Sequence, residues 1–292
     1  MEEYAEVNEH IIDKVIQPRK RTSHKGDNGV LAVVGGSRIF HGAPFFTSMA
    51  AARTGADLVY LAVPKMIAGS IRALSPDLIV FPLPDAKLTP GSASAFLKWL
   101  PEVDSLVIGP GMGRQKLEGA RKIVRDLCLE RGVRVLIDAE AQDSSLYSIV
   151  KNKDCITTPH PGEFKRVFKT DAGESLDEKV KQVKAKASES GMVIVLKAYE
   201  TVISDGTEVY VNKFGSPAMT CGGIGDTVSG VIGALMAQCS GTEIRSVEIA
   251  AAGSLIVSLA GRKAAEQRGY HIVATDIISE ISTVMKQFDK TE

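Results

Sequence analysis

The chain has 292 residues, enough for one large α/β domain or two small ones. Hydrophobic residues make up 44%, which supports a sizeable core and excludes wholesale disorder. Lys plus Arg and Asp plus Glu each number 35, so net charge gives no general attraction to nucleic acid or to an anionic membrane. No apolar run reaches the length of a membrane span, and Met1-Glu2-Glu3 lacks the basic-then-apolar order of a signal peptide. Cys128, Cys155, Cys221 and Cys239 are scattered without a CxxC pair, which favours buried, reduced thiols over a disulfide framework or zinc site. The expectation is a soluble cytoplasmic protein with no nucleic-acid or membrane partner.

Residues 1–24 read as a leading helix and a basic connector, Arg19-Lys20-Arg21, attached to a single domain over 25–292. Apolar runs of strand length then alternate with longer amphipathic stretches. A buried strand over 31–34 ends in Gly35-Gly36, and a helix over 44–54 has Pro44 in its first turn and Gly55 at its end. Strands follow over 58–63, 78–81, 106–108, 133–137, 156–158 and 193–196, with helices ending near 74 and covering 93–100, 117–130 and 176–189. Residues 201–204 and 208–211 flank Asp205-Gly206-Thr207 and read as a hairpin, because Asp-Gly supplies the positive φ of a tight turn. After Gly225 the chain is helical over 226–238, 244–268 with a break, and 275–287. Strand–helix alternation predicts a three-layer α/β/α sandwich around a mostly parallel sheet.

In an open parallel sheet, ligands bind beyond the carboxyl ends of the strands. Five unusual segments each follow an expected strand: Gly35-Gly36-Ser37, Gly109-Pro110-Gly111-Met112-Gly113, Asp138-Ala139-Glu140, Thr158-Pro159-His160-Pro161-Gly162-Glu163, and Lys197. A parallel arrangement gathers them on one rim. Gly222-Gly223-Ile224-Gly225-Asp226 opens a helix, where glycines let several N–H groups point at one place and the helix end adds partial positive charge. That combination suits phosphate. Asp226 beside it serves either as a dipole-stabilising cap or as the base for a hydroxyl attacking that phosphate. There is no GxxxxGK[ST], and Gly109–Gly113 has the wrong spacing for GxGxxG, so a P-loop enzyme and a Rossmann dehydrogenase are disfavoured.

These residues resemble the NAD(P)H-hydrate dehydratase family of the ribokinase-like superfamily. The resemblance rests on Lys25-Gly26-Asp27-Asn28-Gly29, His41-Gly42-Ala43-Pro44, Gly109 to Gly113, Ile137-Asp138-Ala139-Glu140-Ala141, Lys197-Ala198-Tyr199-Glu200-Thr201 and Gly222 to Asp226. Its most specific part is Thr158-Pro159-His160-Pro161-Gly162-Glu163-Phe164. It implies removal of water from the hydrated (6S) form of NADH or NADPH, driven by ADP with release of AMP and phosphate in many microbial members, and by ATP in eukaryotic ones. It further implies that Ala43, Gly111, His160 and Asp226 meet the hydrated dinucleotide. Lys197, Ala198, Tyr199, Glu200, Thr201, Gly222, Gly223 and Gly225 would meet the adenine nucleotide, and Asp226 would be catalytic. Glu163 resembles the acid that organises Mg²⁺ in related small-molecule kinases and would act through water. The family also often assembles into homo-oligomers.

Three positions depart from the usual pattern: Ile224 replaces a small hydroxyl residue, Ala198 a glycine, and Glu140 an aspartate. Two other readings stay open on the same residues. One is a kinase of a vitamin precursor or sugar, and the other a nucleotide-binding protein without turnover. His41, Asp138 and Arg114 stand evenly between structural and site roles, and neither the nucleotide donor nor a preference between NADH and NADPH hydrate is legible.

Overall fold

The computed structural model describes residues 4–292. Its strands are β1 (Ala5–Glu6), β2 (Val30–Val34), β3 (Leu58–Pro64), β4 (Ile79–Leu83), β5 (Ser105–Ile108), β6 (Arg134–Ile137), β7 (Cys155–Thr157), β8 (Val193–Leu196), β9 (Thr201–Ser204) and β10 (Val209–Asn212). They form one sheet in the order β1-β10-β9-β8-β7-β6-β5-β2-β3-β4. Among them only β9 runs against the rest, pairing antiparallel with β8 and β10. The helices are α1 (Glu9–Val15), α2 (Gly42–Thr54), α3 (Lys65–Leu74), α4 (Pro90–Trp99), α5 (Glu118–Val124), α6 (Ser144–Val150), α7 (Pro161–Phe168), α8 (Leu176–Ser190), α9 (Ile224–Gln238), α10 (Ser246–Arg268) and α11 (Ala274–Met285).

β2 and β8 are apolar at every position because both faces of the sheet are covered there. Leu31 and Val33 of β2 point into the layer built by α1, α2, α3, α9, α10 and α11. Ala32 and Val34, one residue out of phase, pack beneath α4, α5 and α6. A third cluster joins Phe164 of α7 and Val180 and Val183 of α8 to Leu196, Val202 and Val211. The three-layer sandwich is therefore present as expected, and none of the helices among the described residues is long and apolar enough to cross a membrane.

The differences from expectation are local. The helix expected over 117–130 changes at Arg125 into wider π-type turns that run to Glu130. The helix with an expected break is continuous from Ser246 to Arg268. Its glycines are there for close approach: a Cβ on Gly253 would stand 2.6 Å from Ile232 Cγ1, and one on Gly261 2.4 Å from Met219 Sδ. Residues 4–24 do not hang off the sandwich. Val7, Ile12, Val15 and Ile16 belong to the main core cluster, β1 extends the sheet beyond β10, and Lys14 pairs with buried Glu248 at 2.6 Å.

Candidate active site

The strand order reverses between β2 and β5, so the chain leaves these neighbours in opposite directions and opens a crevice at their carboxyl ends. The two glycine loops that follow are pressed together. Gly36 N–H donates to the Pro110 carbonyl at 2.8 Å, and a Cβ on Gly35 would stand 2.3 Å from that oxygen. Gly109 has φ +125°, and a Cβ there would fall 1.8 Å from the Asp138 carbonyl. Only glycine fits both the conformation and the contact.

Asp138, at the end of β6, is the polar centre of the rim and is 1% exposed. Its Oδ1 accepts from Lys197 Nζ at 2.8 Å and Thr158 Oγ1 at 2.7 Å, and its Oδ2 from Ser229 Oγ of α9 at 2.7 Å. A buried carboxylate is tolerated when paired and hydrogen-bonded in this way. Burial alone would lower the pKa of the Lys197 ammonium, but the charges of Asp138 and then Glu163 outweigh it and hold the value above its ordinary level. Lys197 is thus a fixed cation at the end of β8. A Cβ on Gly225 would sit 3.2 Å from its Nζ.

Gly223, at φ 95°, precedes α9, and no side chain caps this helix end. The first N–H groups of a helix have no partner inside it, so this uncapped glycine turn beside Lys197 is an electropositive hole. Asp226 lies in the first turn. Its carboxyl has no hydrogen-bond partner among the described residues, while its backbone carbonyl accepts from Thr47 Oγ1 at 3.1 Å. The same hydroxyl reaches the Ala43 carbonyl at 3.1 Å, tying α2 to α9. Burial, then the Asp138 charge, push the Asp226 carboxyl up to about 7, against the opposing pull of Lys197. A carboxylic acid tuned to that range can take a proton near neutral pH.

His160 caps α7. Its Nδ1 accepts from Gly162 N–H at 3.0 Å, and Glu163 Oε2 returns a bond to His160 N–H at 2.9 Å. This is a capping box with imidazole in the usual serine place. His160 Nε2 lies 3.6 Å from Glu163 Oε1, with more than half of the histidine side chain in solvent. Nearby, Glu140 Oε2 is buried without a partner, and burial, then the charges of Glu163 and Asp138, raise that carboxyl above its ordinary value.

Two cavities meet at His160. One, of about 590 Å³, runs from Lys197 and Gly225 past Ala198, Tyr199 and Thr201 to Asn212, Ser254 and Ser258. The other, of about 500 Å³, is lined by Arg114, Glu140, Asp143, Glu163 and Arg166 with the glycine loop. Five of the expected nucleotide residues line the first cavity; Glu200, Gly222 and Gly223 do not. Ala43 and Gly111 come together on the β2–β5 side, where a Cβ on Gly111 would meet that of Ala43 at 2.9 Å.

The family model for NAD(P)H-hydrate dehydratase matches residues 31–283. The chain belongs to that family. It is 43% identical over 281 residues to the ADP-dependent (S)-NAD(P)H-hydrate dehydratase of Nitrosopumilus maritimus, covering 96% of each chain. A ribokinase-like superfamily protein of Enterococcus faecalis superposes with a TM-score of 0.80 at 24% identity, covering 99% of this chain and 98% of that one. The ADP/ATP-dependent NAD(P)H-hydrate dehydratase of Bacillus subtilis, co-crystallised with ATP and Mg²⁺, gives 0.83 at 23% identity over 99% and 100%. The sandwich is therefore the ribokinase-like fold.

Within this dehydratase-family fold, sequence reasoning missed Ser229, which holds Asp138, and the floor made by Asn212, Ser254 and Ser258. A signal was available: a polar residue ends an apolar strand, and two serines stand four apart on an apolar helix, hence on one face.

Proposed function

We propose that the protein removes water from (6S)-hydrated NADH or NADPH, with ADP as the phosphoryl donor. The observation that carries this reading is Asp226, a partnerless carboxyl pushed up to about 7 at an uncapped helix end beside Lys197. The 43% identical relative's ADP dependence supports the choice of donor.

In this reading the adenine nucleotide occupies the cavity that begins at Lys197 and Gly225, in contact with Ala198, Tyr199 and Thr201. Its terminal phosphate meets the N–H groups of Gly222 to Gly225. The hydrated dinucleotide lies against Ala43, Gly111 and His160, extending toward Arg114. Asp226 takes the proton of the ring hydroxyl as its oxygen attacks the terminal phosphorus of ADP, and AMP leaves. The phosphorylated ring then expels phosphate as the ring-nitrogen lone pair moves in, and loss of a ring proton restores the dihydronicotinamide. The helix N–H groups and the Lys197 ammonium stabilise charge on the phosphoryl group in flight.

Among the described residues no three His, Cys, Asp or Glu side chains converge into a metal cage. Glu163 and the partnerless Glu140 Oε2 nevertheless suit Mg²⁺ held through water, since that ion keeps several waters and favours oxygen. When bound with the nucleotide, Mg²⁺ would supply charge neutralisation for the phosphates.

The test is absorbance in the NADH band after mixing protein, Mg²⁺ and (6S)-NADH hydrate with ADP or, separately, ATP. Recovery of the chromophore with ADP supports the reading. No recovery with either nucleotide, from folded protein, refutes it and returns the small-molecule kinase to first place.

A further inference from the structure

The far end of the first cavity has a polar floor whose hydrogen bonds have a direction. Asn212, the last residue of β10, is 2% exposed. Its Oδ1 is spent accepting from Phe214 N–H at 2.9 Å. Its amide group donates to Ser254 Oγ at 2.8 Å and Ser258 Oγ at 3.0 Å. Both serines therefore have an oxygen lone pair occupied by Asn212. Neither hydroxyl proton has an acceptor among the described residues, although both residues are more than nine-tenths buried and line the cavity. A serine on a helix commonly gives its proton to the carbonyl four residues back; these two do not. An unspent buried donor costs free energy unless a ligand takes it.

The floor also lies at a fixed distance from the backbone of Lys197. Register places Leu196 opposite Val202 and Asn212 opposite Thr201, so continuing it puts Lys197, Thr201 and Asn212 in line across three strands. At about 4.8 Å per strand, Lys197 and Asn212 are roughly 10 Å apart along the sheet. A nucleoside phosphate is about this long. Met219, Ile224, Val228 and Val257 wall the space near the floor with apolar groups suited to a flat ring.

We infer that Asn212, acting through Ser254 and Ser258, selects adenine over guanine at this site. Adenine's C2 edge carries two acceptors, N1 and N3, that match two donors. Guanine keeps N3 as an acceptor but carries N1–H in place of N1 and an amino group on C2, so at least one serine donor meets a donor and goes unpaired. A site built on hydrogen bonds rejects the mismatched analogue strongly for that reason. The serines touch the base, and Asn212 is a positioning residue that sets which way their protons point. The inference rests on the proposed nucleotide site and adds to it the residues that read the base.

The experiment is titration calorimetry of the full chain with ADP and with GDP, on wild type, Ser254→Ala/Ser258→Ala and Asn212→Asp, with melting temperature as a folding control. Wild type is expected to favour ADP at least about tenfold. The double alanine variant should weaken ADP about ten- to a hundredfold, leave GDP little changed and erase the ratio, at a normal cost per hydrogen bond. Asn212→Asp puts an acceptor where the amide donated. The serine protons then turn to the carboxylate, the cavity sees lone pairs, and preference should move toward GDP. An ADP-to-GDP ratio unchanged in both folded variants overturns the inference and leaves the proposed function standing. A wild type that holds neither nucleotide overturns both.

Discussion

Asp226→Asn is expected to raise stability while it sharply lowers turnover. In the folded protein the carboxyl has moved from 3.8 to about 7. Between those values the unfolded chain has released a proton that the folded protein still holds, so stability falls as pH rises from about 4 to 7 and is flat beyond. Each unit is worth about 1.36 kcal/mol. From pH 5 to pH 8 the wild type should therefore lose up to about 3 kcal/mol on this account, and partial exposure of Asp226 brings the figure nearer to about 1–2 kcal/mol. Asparagine does not titrate and has the same shape. The variant's advantage in melting temperature should grow by about 2–5 °C from pH 5 to pH 8, read by circular dichroism on both proteins in matched buffers. Turnover should fall about a thousandfold, as for loss of a general base. A gap that is equal at the two pH values, or a variant less stable at pH 8, would refute the assignment of burial and like charge as the cause of the shift.

Wild-type turnover should rise with pH and level off above about 7 as Asp226 loses its proton; a profile flat from pH 5 to 8 would remove it as the base. His160→Ala should cost about 1 kcal/mol through loss of the α7 cap, while His160→Asn restores the cap. Turnover that returns with asparagine marks a structural histidine, and turnover that stays low marks a contact with substrate. Lys197→Ala leaves the Asp138 carboxylate buried without its cation and should destabilise by about 3–5 kcal/mol, which a denaturant titration would read. Gly109→Ala should fail to accumulate as folded protein, because its Cβ would overlap the Asp138 carbonyl at 1.8 Å.

The central strands and long helices were legible because burial on two faces writes continuous apolar runs, and one-sided burial writes a helical period. The rim was legible because glycine, proline and acid residues recur after those runs. What was hidden depended on distant partners. β1 is two residues long and exists only because β10 is there to receive it. α7 begins with a histidine cap, which composition does not mark as a helix start. A break was expected within 244–268, but α10 is continuous, and its glycines serve contact with Ile232 and Met219. Asp138 stood evenly between a turn cap and the site, and only the convergence of Lys197, Thr158 and Ser229 on its two oxygens separates these roles.

β1 finds its partner far along the chain: Ala5 pairs with Tyr210, and Val7 N–H donates to the Val211 carbonyl at 3.0 Å, next to Asn212. Arg19 likewise bridges to Thr291. Such far-separated contacts slow folding and leave the early chain waiting for its partner. They also tie the leading segment to β10, whose last residue, Asn212, lines the first cavity. Tension, truncation or a bulky fusion at the amino end would be felt first by β10, and thus by the floor of that cavity, some two hundred residues away along the chain but one hydrogen bond away in space.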